Sequence, residues 1–210
     1  MSLKYLCPLP ASIANLSPLV CPEHFGQITR IAFQRIGTPF PAAAGAAGDI
    51  DLLASWVALL SASDGTKIQA APINENFVLP VSEAIEEGGD DNSTAFGQVL
   101  VVGSGQVKPT GRYRGLTGQI LKQLKQFISE SAIFGQLGVY LFNEHGQIIC
   151  SNLSGTEHGP IPITSYFISS IGSEGFNTHN MVNFQWSMLS NWSDDIKIVT
   201  PVDFNPNVAF

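Results

Sequence analysis

Charge is what this sequence has least of. Only 13% of its residues are Asp, Glu, Lys or Arg, against roughly 25% in an average soluble protein. The apolar share of 44% is ordinary, so uncharged polar side chains must cover much of the surface. Charged residues are depleted where proteins bury surface against partners, and two readings fit this composition: a chain in repeated contact with other subunits, and a β protein rich in Ser, Thr, Asn and Gly. Basic residues are scarcer than acidic ones. Ten Lys and Arg against seventeen Asp and Glu leave a net charge of −7, which argues against a general nucleic-acid binder, because that role needs a basic face to release counterions from phosphates.

Cysteine is nearly absent as well. Cys7, Cys21 and Cys150 are an odd, widely spaced set with no CxxC pair, which is no disulfide framework and fits synthesis in a reducing cytoplasm. Long apolar helices are missing too. Tyr5 to Pro22 carries no charge, but Pro8, Pro10, Pro18 and Pro22 interrupt any helix that could span a bilayer. Lys4 ahead of apolar residues, with Leu19-Val20-Cys21, imitates a lipoprotein cleavage box, yet Val20 stands where that box needs a small residue.

At 210 residues the chain is long enough for one well-buried core. The expected organisation is an extended, proline-rich N-terminal arm over 1–26, a single β-rich domain over 27–200, and a C-terminal tail over 201–210. Within the domain, Gln27 to Gln34 reads as a strand, Pro39 to Gly48 as a loop, and Thr66 to Ile73 as a strand. Asp49 or Asp51 is placed to cap a helix whose Ile50, Leu53, Val57 and Leu60 recur at three- and four-residue steps. Glu83, Glu86, Glu87, Asp90 and Asp91 crowd around Gly88-Gly89 in an expected acidic, solvated loop over 80–95.

Gln98 to Val102 resumes a strand, after which Gly103, Gly105, Pro109 and Gly111 read as loop punctuation. Thr117 to Ser131 is the clearest helix: Ile120, Leu121, Leu124, Phe127 and Ile128 share one face, and Lys122, Lys125, Gln126 and Ser129 face away. Leu137 to Phe142 and Gln147 to Cys150 flank Asn143-Glu144-His145-Gly146 as a hairpin. Ile161 to Ile168 and Asp195 to Thr200 are further strands, and Val182, Phe184, Trp186 and Met188 alternate with polar residues in a strand with one buried face. Many strands and two helices without βαβ alternation give an α+β class dominated by antiparallel sheet.

No catalytic motif stands out. His145, Cys150 and His158, with Glu144 and Glu157, match no zinc-ligand spacing. Gly103-Ser104-Gly105 lacks the remainder of a phosphate-binding loop. No GxSxG elbow accompanies His24, His145, His158 or His179. The expectation is therefore no enzyme, no cofactor, no metal and no small-molecule substrate. The charge asymmetry is more informative: Lys108, Arg112, Arg114, Lys122 and Lys125 gather half of the basic residues just downstream of the acidic run. Copies meeting head to tail could pair Glu83, Glu86, Glu87, Asp90 and Asp91 with Lys108, Arg112 and Arg114. The plain alternative is local pairing on solvated faces, worth about 0–1 kcal/mol per pair.

Several stretches carry a resemblance. Cys21-Pro22-Glu23-His24-Phe25-Gly26-Gln27-Ile28 and Phe33-Gln34-Arg35 resemble the opening of virion proteins encoded by phages and prophages of Bacteroidetes. Leu53-Ala54-Ser55-Trp56, Ser63-Asp64-Gly65-Thr66-Lys67, Gly138-Val139-Tyr140-Leu141, Asn191-Trp192-Ser193-Asp194-Asp195 and Pro201-Val202-Asp203-Phe204-Asn205-Pro206 extend it over most of the chain. These motifs are diffuse and have no catalytic meaning. The role most similar in size and pattern is a tail-tube subunit. That resemblance implies a β-sandwich or barrel flanked by a helix, loops and arms that join subunits, and a homo-oligomeric, hexamer-like ring. Its partners would be other virion proteins, without membrane or sequence-specific nucleic acid, in a virion made in the bacterial host cytoplasm. An acidic wall would also let DNA slide without sticking, provided that the basic cluster faces away from the lumen.

Three other readings remain open from the sequence: a head-decoration or connector protein of the virion, a monomeric binding module or carbohydrate-active accessory domain of a gut bacterium with Trp56, Trp186 and Trp192 as stacking residues, and an enzyme with a dispersed site. Trp186 on the apolar side of its strand and Trp56 on a helix favour core positions over stacking.

Overall fold

In the computed structural model, residues 25–41, 48–89, 93–133, 135–154, 157–173, 175 and 179–210 are described. The N-terminal arm up to residue 24, most of the expected 39–48 loop, Asp90 and Asp91 lie outside them. The described residues form β1 (Ile28–Arg35), β2 (Phe40–Pro41), α1 (Leu53–Leu60), β3 (Ile68–Ala70), β4 (Asn74–Val78), β5 (Ala84–Glu87), β6 (Leu100–Ser104), β7 (Thr110–Arg114) and α2 (Gly118–Glu130). There follow β8 (Leu137–Asn143), β9 (Ile148–Asn152), β10 (Glu157–Gly159), β11 (Ile161–Ile168), β12 (Met181–Ser187), β13 (Ile196–Val199) and α3 (Pro206–Ala209).

Every strand pairing among the described residues is antiparallel, and the class is α+β and sandwich-like. The long path of neighbours runs β2-β10-β9-β8-β11-β12-β7-β4. β11 is the corner. Ile161–Ile163 pairs with β8, whereas Thr164, Phe167 and Ile168 pair with β12, with a register shift in between. Ser165 there has φ 53°, and a bulge of this kind lets one strand pass from one sheet to another.

β8 explains how two cores share one sheet. All of its residues are buried, because Leu137, Val139 and Leu141 point into one apolar cluster while Tyr140 and Phe142 point into another. The first cluster is closed by α2 and the inner faces of β11 and β12. The second holds Phe40, Trp56, Ile148 and Cys150, and is covered by α1 and the C-terminal residues Phe204 and Phe210. A strand buried on both faces must read as a continuous apolar run, as Leu137 to Phe142 does.

α2 starts as its sequence requires: the Thr117 side chain accepts a hydrogen bond from the Ile120 amide, and Leu121 and Leu124 are buried. α1 differs from expectation. Asp49 and Asp51 do not cap it; its cap residue is Leu52, which has no capping side chain. The Leu53 amide instead donates to Asp203 Oδ1 at 2.9 Å. Trp56 is the buried residue of the helix; of the expected stripe, Ile50 is buried and Leu60 packs on the second cluster, but Val57 is exposed. The Trp56 ring governs the helix because it packs in one aromatic group, stacked on Phe40 at 4.9 Å and edge-on to Tyr140 at 5.1 Å.

The C-terminal tail is not a free arm in this structure. Asn207 Nδ2 donates to the Asn143 carbonyl at 2.7 Å, Thr29 Oγ1 donates to Asn207 Oδ1 at 2.9 Å, and Arg30 Nη1 donates to the carbonyls of Pro206 and Phe210. Phe210 then stacks near Trp56 and Phe142.

Candidate assembly surface

β4 and β7 are the two legs of one long hairpin. Their ladder reaches Val78 opposite Thr110, and beyond it β5 and β6 form a separate two-stranded ladder from Ala84–Ser104 to Glu87–Leu100. The Gly105 amide donates to the Glu83 carbonyl at 2.7 Å and closes its base. The sequence reading of 80–95 as a loop therefore needs amending, since Ala84–Glu87 is a strand despite its carboxylates. Pairing with the Val-rich β6 supplies the backbone partners that an acidic loop would lack.

Every strand residue of β5 and β6 is exposed. Val81, Ile85, Phe96, Val99, Leu100, Val101 and Val102 all stand in solvent, with Val101 67% exposed, and none belongs to either apolar cluster. Val99 to Val102 has the composition of a core strand. Burying one Val or Leu side chain fully contributes about 1.5–3 kcal/mol, so covering this group of half-exposed side chains is worth several times that order. A contiguous apolar ladder with free edges is what a β protein presents to a partner.

The charged residues expected at subunit contacts divide into two kinds. Glu83, Glu86 and Glu87 are exposed on or beside β5, and residues 79–106 contain no Lys or Arg. Lys108 is exposed at the base of the hairpin. Arg112 and Arg114 are engaged locally: Arg114 Nη2 lies 2.9 Å and Arg112 Nε 3.7 Å from Glu75 Oε2. Glu75 was not singled out by sequence because β4 itself was unforeseen; only the register of a β4–β7 pair brings Glu75 opposite Arg112. The basic cluster is thus split between β7 and the solvent face of α2, where Lys122 and Lys125 are exposed.

The residues considered for chemistry are dispersed. Cys150 is buried in the second cluster, and desolvation pushes its thiol up to about 12. His158 on β10 is buried, its Nδ1 has no hydrogen-bond partner among the described residues, and burial first and Lys197 second hold its pKa below the ordinary value. His145 is exposed in the β8–β9 turn, 3.7 Å from Glu144. Gly103 and Ser104 belong to β6. Trp56 and Trp186 are core residues, and Trp192 packs at the edge of the first cluster, 6.0 Å from Phe25. Among the described residues no three His, Cys, Asp or Glu side chains converge as metal ligands. Set against known protein families, curated proteins and solved structures, the chain matches none of them.

Proposed function

We propose that this chain is a non-enzymatic structural subunit of a phage virion, of the tail-tube kind, which self-assembles into stacked rings around a DNA channel. The observation that carries the reading is the β5–β6 ladder: an apolar strand pair, flanked by carboxylates, that extends from the sheet and is left exposed by the described residues. A second copy supplies the cover. The low charge content and the acidic balance support a subunit whose surface is largely engaged by other subunits and whose lumen repels phosphates. The resemblance to virion proteins of Bacteroidetes phages supports the specific position in the particle.

The structure modifies how copies would join. With Arg112 and Arg114 held by Glu75, apolar burial at the hairpin carries the association and charge sets its register. Light scattering on the concentrated protein, with negative-stain imaging of the same sample, tests this. Rings or tubes that disappear in a Leu100→Ser/Val101→Ser variant are expected. A strictly monomeric chain at every concentration would overturn the proposal.

A further inference from the structure

A second surface is built differently from the hairpin. β11, β12, β7 and β4 are consecutive neighbours, and their solvent face carries an open trough of about 350 Å³. The register sets its rows. Phe167 lies opposite Gln185, which lies opposite Thr110; Asn183 lies opposite Arg112, which lies opposite Glu75.

The two outer strands of this sheet are both bulged. β4 shifts register between Glu75 and Val78 around Asn76 at φ 49°, and β11 between Thr164 and Phe167 around Ser165 at φ 53°. Bulges bend strands, and the trough lies between these two bulged strands. Non-glycine residues at positive φ also store strain, and such strain gathers at binding sites.

The lining is polar, planar and ready. With its amide oriented toward the guanidinium, Asn76 Oδ1 accepts from Arg112 Nη2 at 2.9 Å and Nε at 3.2 Å, which fixes the arginine. Asn183, Gln185 and Thr110 make no side-chain hydrogen bond with any described residue, so their donors and acceptors are open. Phe167 is half exposed beside them. Glu75 offsets one of the two arginine charges.

We propose that this trough binds a neutral oligosaccharide. Pyranose rings have an apolar C–H face that packs on an aromatic ring, and vicinal hydroxyls that pair with planar amides and guanidinium groups. Preorganised polar groups with one aromatic wall provide both in one cleft. Phosphate-bearing ligands suit it less, because Glu75 and Asn76 already occupy the arginine donors and the chain carries a net charge of −7. A protein partner suits it less too, because Phe167 and Val78 are the large apolar side chains along its rows. The inference does not depend on the assembly reading.

The full chain is screened on a printed array of neutral glycans, and hits are titrated by calorimetry. Saturable binding is expected, weakened roughly tenfold or more by Phe167→Ala and by Gln185→Ala, retained by Phe167→Tyr, and insensitive to salt. Absence of any hit overturns the proposal, as does binding that Phe167→Ala leaves intact. Salt-sensitive binding of oligo-dT that Phe167→Ala abolishes would reassign the trough to single-stranded nucleic acid and also overturn it. The Leu100→Ser/Val101→Ser variant must bind as the parent does, which separates this result from any failure of assembly.

Discussion

Leu53 and Asp203 are 150 positions apart in sequence, yet the Leu53 amide donates to Asp203 Oδ1 at 2.9 Å and begins α1 there. A helix whose own cap residue is Leu52 thus depends on a carboxylate from the C-terminal tail. The same tail places Phe204 and Phe210 over the second apolar cluster. Capping and covering are therefore one structural event.

Loss of that carboxylate should be measurable. Asp203→Ala removes an N-terminal acceptor, a change worth about 1 kcal/mol, and lowers the melting temperature by about 2–4 °C for a chain of this size. Asp203→Asn, which keeps an acceptor, recovers most of the loss. Thermal denaturation followed by circular dichroism reads both, and equal melting of Asp203→Ala and parent would show that water serves α1 as well as Asp203 does.

Core and hairpin should respond in opposite ways. Trp56 is fully buried against Phe40 and Tyr140, so Trp56→Ala costs about 3–5 kcal/mol of folding stability. Val101 is exposed, and Val101→Ser changes the stability of the isolated subunit by no more than about 0.5 kcal/mol while weakening assembly. Urea denaturation together with light scattering on each variant separates the two effects. A large loss of subunit stability in Val101→Ser would mean that the ladder is part of the fold and not a docking surface.

What the sequence disclosed and what it hid follow from the same physics. β12 is legible because Val182, Phe184 and Trp186 are buried while Asn183 and Gln185 face solvent, the period of a one-sided strand. β7 is not, because Pro109 and Gly111 look like punctuation. Gly111 is there for space: a Cβ at that position would stand 2.5 Å from the Phe184 ring. β4 hides behind Asn74 and Asn76, two residues with turn chemistry, although Asn74 is buried with its amide donating to the Ile28 carbonyl at 2.9 Å. The acidic half of the candidate surface was visible in Glu83, Glu86 and Glu87. Its apolar half was not, because Val99 to Val102 is indistinguishable by composition from a buried strand.

Salt distinguishes apolar from ionic association. Because Arg112 and Arg114 face Glu75 within one subunit, assemblies held by the β5–β6 ladder persist when ionic strength rises to about 1 M, where exposed charge pairs beyond about 3 Å are screened. Sedimentation velocity across a salt series gives the answer. Dissolution of the assemblies at high salt would restore the charge-paired, head-to-tail contact as the main joint.

His158 predicts an acid limit for the fold. Its imidazole is buried on β10, lacks a partner at Nδ1 among the described residues, and has its pKa lowered first by desolvation and then by Lys197, with Asp49 opposing. The unfolded chain, where the ring regains its ordinary value near 6.5, then binds a proton that the folded chain refuses. The stability contributed by this site is fully present above the unfolded value and is lost as pH falls through the folded one. Melting temperature should accordingly drop on acidification below about pH 6.5, and a His158→Gln variant should show a shallower decline. Parallel pH profiles for variant and parent would place the acid sensitivity elsewhere than His158, and not at Asp51, whose carboxyl is raised by desolvation and by the neighbouring Asp49 and which therefore favours the folded state as pH falls.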